Sequence, residues 1–533
     1  MDLLTKAISP VFTARQRKIK LFGKQLDDIQ CRQFRHLLNT AKNTEWGKRY
    51  GFNDISGYKD FRERVPVSDY EDLRPLIERM VNGEKNILWP SVVRWFAKSS
   101  GTTNTRSKFI PVTNEILKHC HYKGGLDTVA LYVHNNPQTR FFSKKGLILG
   151  GSHSPSTLNS KTHCGDLSAV LLQNLNPLVN LVRVPRKEII LMDEWEAKIK
   201  AIVDDTWNKD VVSLSGIPSW MLVLIKAVIE KAGKKNLNEV WPNLEVFFHG
   251  GVGFEPYLTQ YKKLIPSEKM HYMETYNASE GFFGIQDDPT DNSLLLMLDY
   301  GIFYEFIPMN EPTTSDNIRQ TAEDSGETAI IRQPSGGNTA AIPLEEVKVG
   351  INYAMVITTS GGLWRYNIGD TVRFTSLFPH KFIITGRTKF FINAFGEELM
   401  VDNAEKGLRK ACEETGAAIK AYTAAPLFLL DSDKGKGRHQ WLIEFERTPE
   451  STEHFAKCLD ETLQQLNSDY EAKRYKEISL QTPQIIVARE NLFFDWMKKH
   501  NKFGGQHKIP SLSNNRDIIN ELIDMNVFGK QKE

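Results

Sequence analysis

The chain has few cysteines and none at metal-binding spacing. Five occur in 533 residues, and no two of them form a C-x-x-C arrangement; they are Cys31, Cys120, Cys164, Cys412 and Cys458. An odd, scattered set argues against a disulfide framework and against a structural zinc site of the usual pattern. Such cysteine usage is typical of a reducing compartment, so we expect a cytoplasmic protein.

The chain also lacks a long apolar run and a large excess of one charge. No window approaches the roughly 18 apolar residues of a membrane-spanning helix, and the opening MDLLTKAISPVF does not have the pattern of a secretory signal peptide. Lys and Arg total 68 and Asp and Glu 65, a formal net charge of only +3. This balance gives no reason to expect a membrane surface or a nucleic acid as partner.

What the sequence does contain is enough apolar material for more than one core. Hydrophobic residues make up 40% and charged residues 25% of the chain, as in folded globular proteins. A length of 533 residues exceeds what one compact core usually holds, which predicts at least two domains. From Val92 onward β-rich segments alternate with helical ones, and this predicts an α/β class with layered sheets.

The pattern of predicted helices and strands changes again after Phe382. A strand, a helix beginning near Val401 and an apolar helical stripe over 455–466 predict a small α+β domain. We therefore expect a large domain over residues 1–386 and a small C-terminal domain over residues 387–533.

A polar stretch near residue 100 has the composition of an anion-binding loop. KSSGTTNTRSKFIP, residues 98–111, crowds Ser, Thr and Gly together, so backbone amides and hydroxyls can converge on a phosphate. The stretch lacks the GxxxxGK[ST] spacing of the common phosphate loop. An ordinary solvated turn is therefore the alternative interpretation at this point.

Three further stretches carry chemistry suited to a nucleotide. ETYNASEGFFG, residues 274–284, combines an aromatic ring, a hydroxyl and a carboxylate, which suit a purine, a phosphate and a hard divalent cation. GGLWRYNIGD ends in Asp370, which could accept both ribose hydroxyls or cap its own turn. GGQHKIPS places Lys508 on a glycine-marked loop, where a solvated surface lysine is the alternative.

The order of these stretches resembles the adenylate-forming superfamily, which includes acyl-CoA synthetases and luciferases. The YxxSE form at 276–280, TTSGGLWRYNIGD at 358–370, LNSDY at 466–470 and QHKIP at 506–510 are similar to one branch. That branch is the auxin-responsive Gretchen Hagen family of acyl acid amido synthetases. The resemblance spans nearly the whole chain and implies an enzyme that uses ATP and Mg²⁺.

The resemblance implies positions for the nucleotide. The residues of the loop that would hold the triphosphate are Ser99, Ser100, Thr102 and Thr103. Tyr276 would lie beside the adenine, and the Gly250–Gly251 turn would line the adenine pocket. Ser279 would face the α-phosphate.

The resemblance also implies the remaining roles at the site. Asp370 would bind the ribose, and Arg387, at the domain junction, would also reach it. Glu280 would associate with magnesium, and Lys508 would be the catalytic lysine of the mobile domain. Rotation about residues 387–389 would carry Lys508 between two half-reactions.

The implied reaction joins a carboxylic acid to an amine. The acid would first become an acyl-AMP with release of pyrophosphate, and an amine, expected to be an amino acid, would then displace AMP. Small-molecule substrates follow as the expected partners. Two alternatives stay open, namely a thioester-forming acyl-CoA ligase of the same superfamily and a nonenzymatic ATP-binding scaffold.

Overall fold

The structure is a computed structural model. It describes residues 10, 12, 14–99, 108–150, 156–175, 179, 182–192, 195–251, 254–309, 341–387, 391–392, 397, 399–428, 437–467, 470–471, 474, 480–500, 509–513 and 516–529.

Helices form the N-terminal segment and cover the sheets. In chain order the described α-helices are α1 (Leu26–Ala41), α2 (Glu45–Arg49), α3 (Tyr58–Arg64), α4 (Tyr70–Val81), α5 (Asn114–Ile116), α6 (Tyr122–Asn135), α7 (Leu167–Gln173), α8 (Lys187–Ile190), α9 (Trp195–Thr206), α10 (Pro218–Ala232), α11 (Leu237–Val240), α12 (Leu258–Leu264), α13 (Val401–Thr415), α14 (Thr452–Leu466), α15 (Leu492–Lys499) and α16 (Asp517–Gly529). None of them is long and apolar enough to cross a bilayer.

The described strands fall into four sheets. They are β1 (Trp95–Ser99), β2 (Lys108–Val112), β3 (Lys145–Ile148), β4 (Ser156–Thr157), β5 (His163–Gly165), β6 (Arg183–Val184), β7 (Val211–Gly216), β8 (Val246–Gly250), β9 (His271–Ala278), β10 (Gly281–Ile285), β11 (Leu294–Leu296), β12 (Ile302–Pro308), β13 (Ile342–Pro343), β14 (Asn352–Thr359), β15 (Tyr366–Leu377), β16 (His380–Arg387), β17 (Phe391–Ile392), β18 (Leu399–Met400), β19 (Ala418–Phe428), β20 (Gly437–Arg447) and β21 (Leu480–Ala488).

A twelve-stranded sheet forms the centre of the molecule. Its order is β13-β12-β14-β15-β16-β11-β10-β9-β8-β7-β3-β6, and the block from β9 to β6 through β8, β7 and β3 is parallel. The other neighbours in this sheet pair antiparallel. Strands β14 and β15 form an antiparallel pair with Ile357 opposite Tyr366. The predicted α/β class is confirmed.

The C-terminal part has a sheet of its own. β19, β20 and β21 form it, and α13 and α14 share with it a separate apolar core that includes Leu408, Trp441 and Leu459. The predicted helices beginning at Val401 and ending at Leu466 are confirmed. A buried hydrogen bond links this part to helix α12. Gln260 Nε2 on α12 donates to the Ile419 carbonyl on β19 at 3.0 Å.

The helical run over residues 114–135 contains one wider turn. This π-helical turn, Leu117–His121, separates α5 from α6. Over five residues, the spacing of apolar side chains does not distinguish a π-helical turn from an α-helical turn. A single π turn displaces the apolar face of the helix by only one residue.

A buried ion pair joins strand β12 to the motif GGLWRYNIGD. Arg365 and Glu305 have fully buried side chains, and the Arg365 Nε donates to both Glu305 oxygens at 3.0 Å. Arg365 Nη1 also donates to the Val65 carbonyl at 2.7 Å, beyond the end of α3. The backbone of Arg365 is left-handed, with φ of 42°, a conformation that costs free energy in a non-glycine residue. The ion pair therefore holds a strained turn five residues ahead of Asp370.

Removing the arginine should destabilise the protein strongly. In Arg365→Met, Glu305 would be buried without its counter-charge, so we expect the free energy of unfolding to fall by about 3 to 5 kcal/mol. Arg49→Met is the matched control, because Arg49 pairs with Glu45 on the surface and should cost less than about 1 kcal/mol. Urea unfolding of both variants measures the difference, and equal losses would contradict this role of the ion pair.

Candidate active site

Two motifs that are 94 residues apart meet through one hydrogen bond. The Tyr276 hydroxyl, on β9, donates to Asp370 Oδ2, on β15. Both side chains are buried, Tyr276 at 7% and Asp370 at 5% exposure. Three strands, β16, β11 and β10, lie between β15 and β9 in the sheet order. A flat sheet would hold β9 and β15 about 19 Å apart at the usual strand spacing, so this half of the sheet must curl.

Aromatic packing inside the curl fixes the tyrosine. The ring centroid of Tyr276 lies 4.9 Å from that of Phe283 on β10 and 6.1 Å from that of Phe382 on β16. Edge and tilted contacts of this kind are favourable and directional. The concave side of the curled sheet is thus an apolar wall that presents a hydroxyl and a carboxylate at one end.

The predicted phosphate and metal residues form a tight turn. Ala278 at the end of β9 pairs with Gly281 at the start of β10, so Ser279 and Glu280 are the two residues between the strands. Turns usually lie at the surface, yet Ser279 and Glu280 are buried. The structure therefore brings Tyr276, Ser279, Glu280 and Asp370 into one region, as the sequence predicted.

The Gly250–Gly251 turn follows β8, the strand beside β9. A Cβ on Gly250 would lie 2.3 Å from the Thr275 carbonyl oxygen, which is part of the backbone. Gly251 has φ of 82°, a region that other residues avoid. Close strand packing therefore requires Gly250, and the left-handed backbone favours glycine at position 251. Their place one strand from Tyr276 is compatible with an adenine pocket.

Other predicted residues lie at or beyond the edge of what the structure describes. The backbone of Ser99 ends β1 and pairs with Lys108. The backbone of Arg387 on β16 pairs directly with Asp370. This strand pairing places the two predicted ribose-binding residues side by side. Ser100, Thr102, Thr103 and Lys508 lie outside the described residues, as do positions 388 and 389 of the expected pivot.

The donor set suits a magnesium ion that is shared with a nucleotide. Among the described residues no group of three or more His, Cys, Asp or Glu side chains could hold a metal by itself. Mg²⁺ is commonly bound by one or two carboxylates together with substrate phosphates. Glu280 supplies one buried carboxylate next to Ser279, which fits that arrangement.

Glu274 is a partly buried acid that sequence reasoning missed. It lies on β9, two residues before Tyr276, and burial followed by the charge of Glu255 raises the pKa of its carboxyl to about 7. Glu255 in turn lies 3.3 Å from Arg409 on α13. No sequence signal marks this position, because a glutamate in a polar stretch is expected to be solvated. The partial burial of Glu274 arises from neighbouring strands.

Glu274 should make stability depend on pH. Its raised pKa means that the folded state holds an extra proton between about pH 4.5 and 7, so this group's contribution to stability falls as pH rises through that window. We expect Glu274→Gln to stabilise the protein at pH 8, on the order of 2 kcal/mol, and far less at pH 5. Urea midpoints at the two pH values test this, with the exposed Glu78→Gln as control. The same shift at both pH values would contradict it.

Comparison with solved structures identifies the fold. An acyl acid amido synthetase, AtGH3.15 in complex with 2,4-DB, is similar with a TM-score of 0.77 at 17% identity, covering 97% of this chain and 96% of its own. A 2-hydroxyisobutyryl-CoA ligase in the postadenylation state has a TM-score of 0.56 at 11% identity, covering 94% and 91%. The fold is therefore that of the adenylate-forming ligases.

Curated proteins with similar sequences are acid–amino acid ligases. The indole-3-acetic acid-amido synthetase GH3.3 of Arabidopsis thaliana is 23% identical, covering 96% of this chain and 93% of its own. The 4-substituted benzoates-glutamate ligase GH3.12 of the same plant is also 23% identical, covering 94% and 96%. The predicted enzyme class, an adenylate-forming ligase, is confirmed by these relatives.

Three consecutive family domains match along the chain. The GH3 family N-terminal domain matches residues 15–270, the central domain residues 295–387 and the C-terminal domain residues 402–517. Together they span most of the sequence and confirm the predicted resemblance. The chain belongs to the GH3 family.

Proposed function

We propose that this protein adenylates a small carboxylic acid with ATP and transfers the acyl group to an amino acid. The observation that carries the proposal is the contact of Tyr276 with Asp370, since it brings together two motifs that are 94 residues apart. Relatives named as amido synthetases and as a glutamate ligase support the amino acid as acceptor. The five cysteines are all free thiols, which agrees with the proposed cytoplasmic location.

Each nucleotide part has a proposed partner. Asp370 accepts hydrogen bonds from the ribose hydroxyls, and Tyr276 holds that carboxylate in place while its ring lines the adenine side. Arg387 approaches the ribose from the neighbouring strand. Ser279 faces the α-phosphate, and the loop with Ser99, Ser100, Thr102 and Thr103 carries the rest of the triphosphate.

Charge determines the roles of the cation and the lysine. When the acid's carboxylate oxygen attacks the α-phosphorus, the bond to the pyrophosphate oxygen breaks and negative charge accumulates on both sides. When bound, Mg²⁺ would neutralise part of this charge, with Glu280 as its protein ligand. Lys508 would approach the acid and the α-phosphate from the C-terminal part and stabilise the same charge.

The second step consumes the acyl-AMP. The amino nitrogen forms a bond to the carbonyl carbon, the bond from that carbon to the phosphate oxygen breaks, and the nitrogen loses a proton. AMP and the amide leave. We propose that the domains extend over 1–386 and 387–533 and rotate about residues 387–389 between the steps. The contacts of Arg409 with Glu255 and of Gln260 with the Ile419 carbonyl would then belong to one orientation only.

Pyrophosphate exchange tests the catalytic assignments. With an acid that supports ATP–pyrophosphate exchange, we expect Lys508→Ala and Glu280→Ala to slow exchange by about two to three orders of magnitude, as for loss of one preorganised charge contact. Lys498→Ala is the control, because Lys498 is an exposed lysine of the same part of the chain. If both variants exchange at the parental rate, the assignments are wrong.

The nature of the acceptor separates the amide-forming proposal from the alternatives. A thioester-forming ligase would consume acyl-AMP with coenzyme A and not with amino acids, and a scaffold would bind ATP without exchange. Product analysis by mass spectrometry, with the twenty amino acids and coenzyme A in parallel, identifies which applies.

ATP affinity tests the ribose assignment. Asp370→Asn should weaken ATP binding about 10-fold to 100-fold, since hydrogen bonds to a charged group are worth about 1.5 to 3 kcal/mol. Tyr276→Phe should weaken it less, because the carboxylate loses only its orienting partner. Tyr304→Phe is the matched control, since it removes a buried hydroxyl that donates to the Met297 carbonyl. Calorimetric titration gives the three affinities, and unchanged binding in Asp370→Asn would contradict the assignment.

A further inference from the structure

Strand β15 departs from regular pairing at Asp370. On the neighbouring strand β14, Ala354 lies opposite Thr371 and Val356 lies opposite Asn367. Two steps along β14 thus correspond to four steps along β15, and Asp370 lies within that stretch. Bulged strands redirect side chains and occur often next to active sites. The direction of the Asp370 carboxylate therefore depends on an irregular part of the strand.

The other neighbour of β15 is bulged at the same level. Thr371 lies opposite Gly386 on β16, whereas Val372, the next residue, lies opposite Ile384. Thr385 is therefore the extra residue of β16 at this point. Gly386 has φ of 151°, in a region where residues with a side chain are rare. The irregularities on the two edges of β15 thus meet at Thr371.

A chain of hydrogen bonds closes this bulge. Thr385 Oγ1 lies 2.6 Å from Asn352 Oδ1, at the start of β14, and 2.9 Å from Thr371 Oγ1. The Thr385 hydroxyl has one hydrogen, and the amide oxygen can only accept it, so Thr385 in turn accepts from the Thr371 hydroxyl. Both threonines are buried, Thr385 at 4% and Thr371 at 0% exposure. Hydrogen bonds in series strengthen one another inside a protein, so this chain ties β14, β15 and β16 together.

The chain of hydroxyls is directly connected to the proposed ribose site. Thr371 follows Asp370 in the sequence, and the Asp370 carboxylate accepts from the Tyr276 hydroxyl. Consecutive residues of β15 are therefore held by different partners, one in the bulge and one across the curled sheet. Thr385 lies two residues before Arg387, whose backbone pairs with Asp370. The buried hydroxyls thus hold the backbone of both proposed ribose-binding residues in register.

We propose that Thr385 is a positioning residue for the ribose, because its hydroxyl fixes the bulge that aims the Asp370 carboxylate at the ribose hydroxyls. This inference rests on the proposed function and adds to it a residue that acts through Asp370. Binding groups keep their effect only when supporting contacts hold them in place. Thr385→Val would keep the shape of the side chain but remove the donor to Asn352 and the acceptor for Thr371. The bulge could then relax, and the carboxylate would lose its fixed direction.

Discrimination between ATP and its deoxy analogues tests the inference, because it reports on the contacts made to the ribose hydroxyls. Calorimetric titration of the full chain with ATP, 2′-deoxy-ATP and 3′-deoxy-ATP, each with Mg²⁺, gives the ratio of the analogue Kd to the ATP Kd. The variants are Thr385→Val and Thr385→Ser, which keeps the hydroxyl. Thr206→Val is the matched control, since it removes a buried hydroxyl on α9 that donates to the Ile202 carbonyl at 2.7 Å.

We expect the parent protein to prefer ATP to at least one analogue by about tenfold or more, as for hydrogen bonds to a charged group. In Thr385→Val the preference should fall to about threefold or less, since about half of that free energy depends on the direction of the carboxylate. It should return in Thr385→Ser and persist in Thr206→Val. A merely structural role of the hydroxyl would lower stability and leave this preference unchanged.

A double variant shows whether Thr385 acts through the carboxylate. Asp370→Asn alone should bring the preference close to one, and adding Thr385→Val should change it no further, because residues that act on one contact are not additive. If Thr385→Val does not fold, Thr371→Val removes the other hydroxyl of the chain and is judged in the same way.

Three results overturn the inference while the parent's preference for ATP still supports the proposed ribose site. They are an unchanged preference in Thr385→Val, an equal fall in Thr206→Val, and a further change in the double variant. A parent protein that binds all three nucleotides equally overturns both the inference and the ribose assignment.

Discussion

The contact between the Tyr276 hydroxyl and the Asp370 carboxylate is the constraint on which the proposed site depends. These residues lie on strands with three others between them, so the contact exists only because the antiparallel half of the large sheet curls around its aromatic side chains. The Ser279–Glu280 turn follows the strand that carries Tyr276, and the backbone of Arg387 pairs with Asp370, so all of these residues lie near the contact. The curl of the large sheet thus brings together the side chains of the proposed nucleotide site.

Three other buried interactions support this arrangement from opposite sides. The Arg365–Glu305 pair holds the left-handed turn that leads into β15, and so fixes the start of the strand that carries Asp370. On the other face of β9, the π turn supports the hairpin of β9 and β10 through Cys120, and His121 bonds Asn277. Preorganised donors and charges need such rigid support, because loosely held groups lose much of their effect on a reaction.

Much of this arrangement could be predicted from the sequence, for reasons that differ between features. The hairpin of β14 and β15 and helix α14 are encoded in local periodicity. Tyr276 and Asp370 were expected at one site because their motifs resemble those of the family. The curl of the sheet, the π turn and the burial of Glu274 arise from contacts between residues far apart in the chain, which no local window contains. The predicted loop residues around Ser100 and Lys508 lie outside the described residues and stay predictions.

The most direct measurement of the central claim is a crystal structure with ATP, Mg²⁺ and a nonreactive acid analogue. The account predicts that both ribose hydroxyls lie within about 3.2 Å of the Asp370 carboxylate, which is hydrogen-bonding distance, with the α-phosphate beside Ser279. A nucleotide bound elsewhere, with the Tyr276 and Asp370 side chains still paired and free of it, would contradict the account.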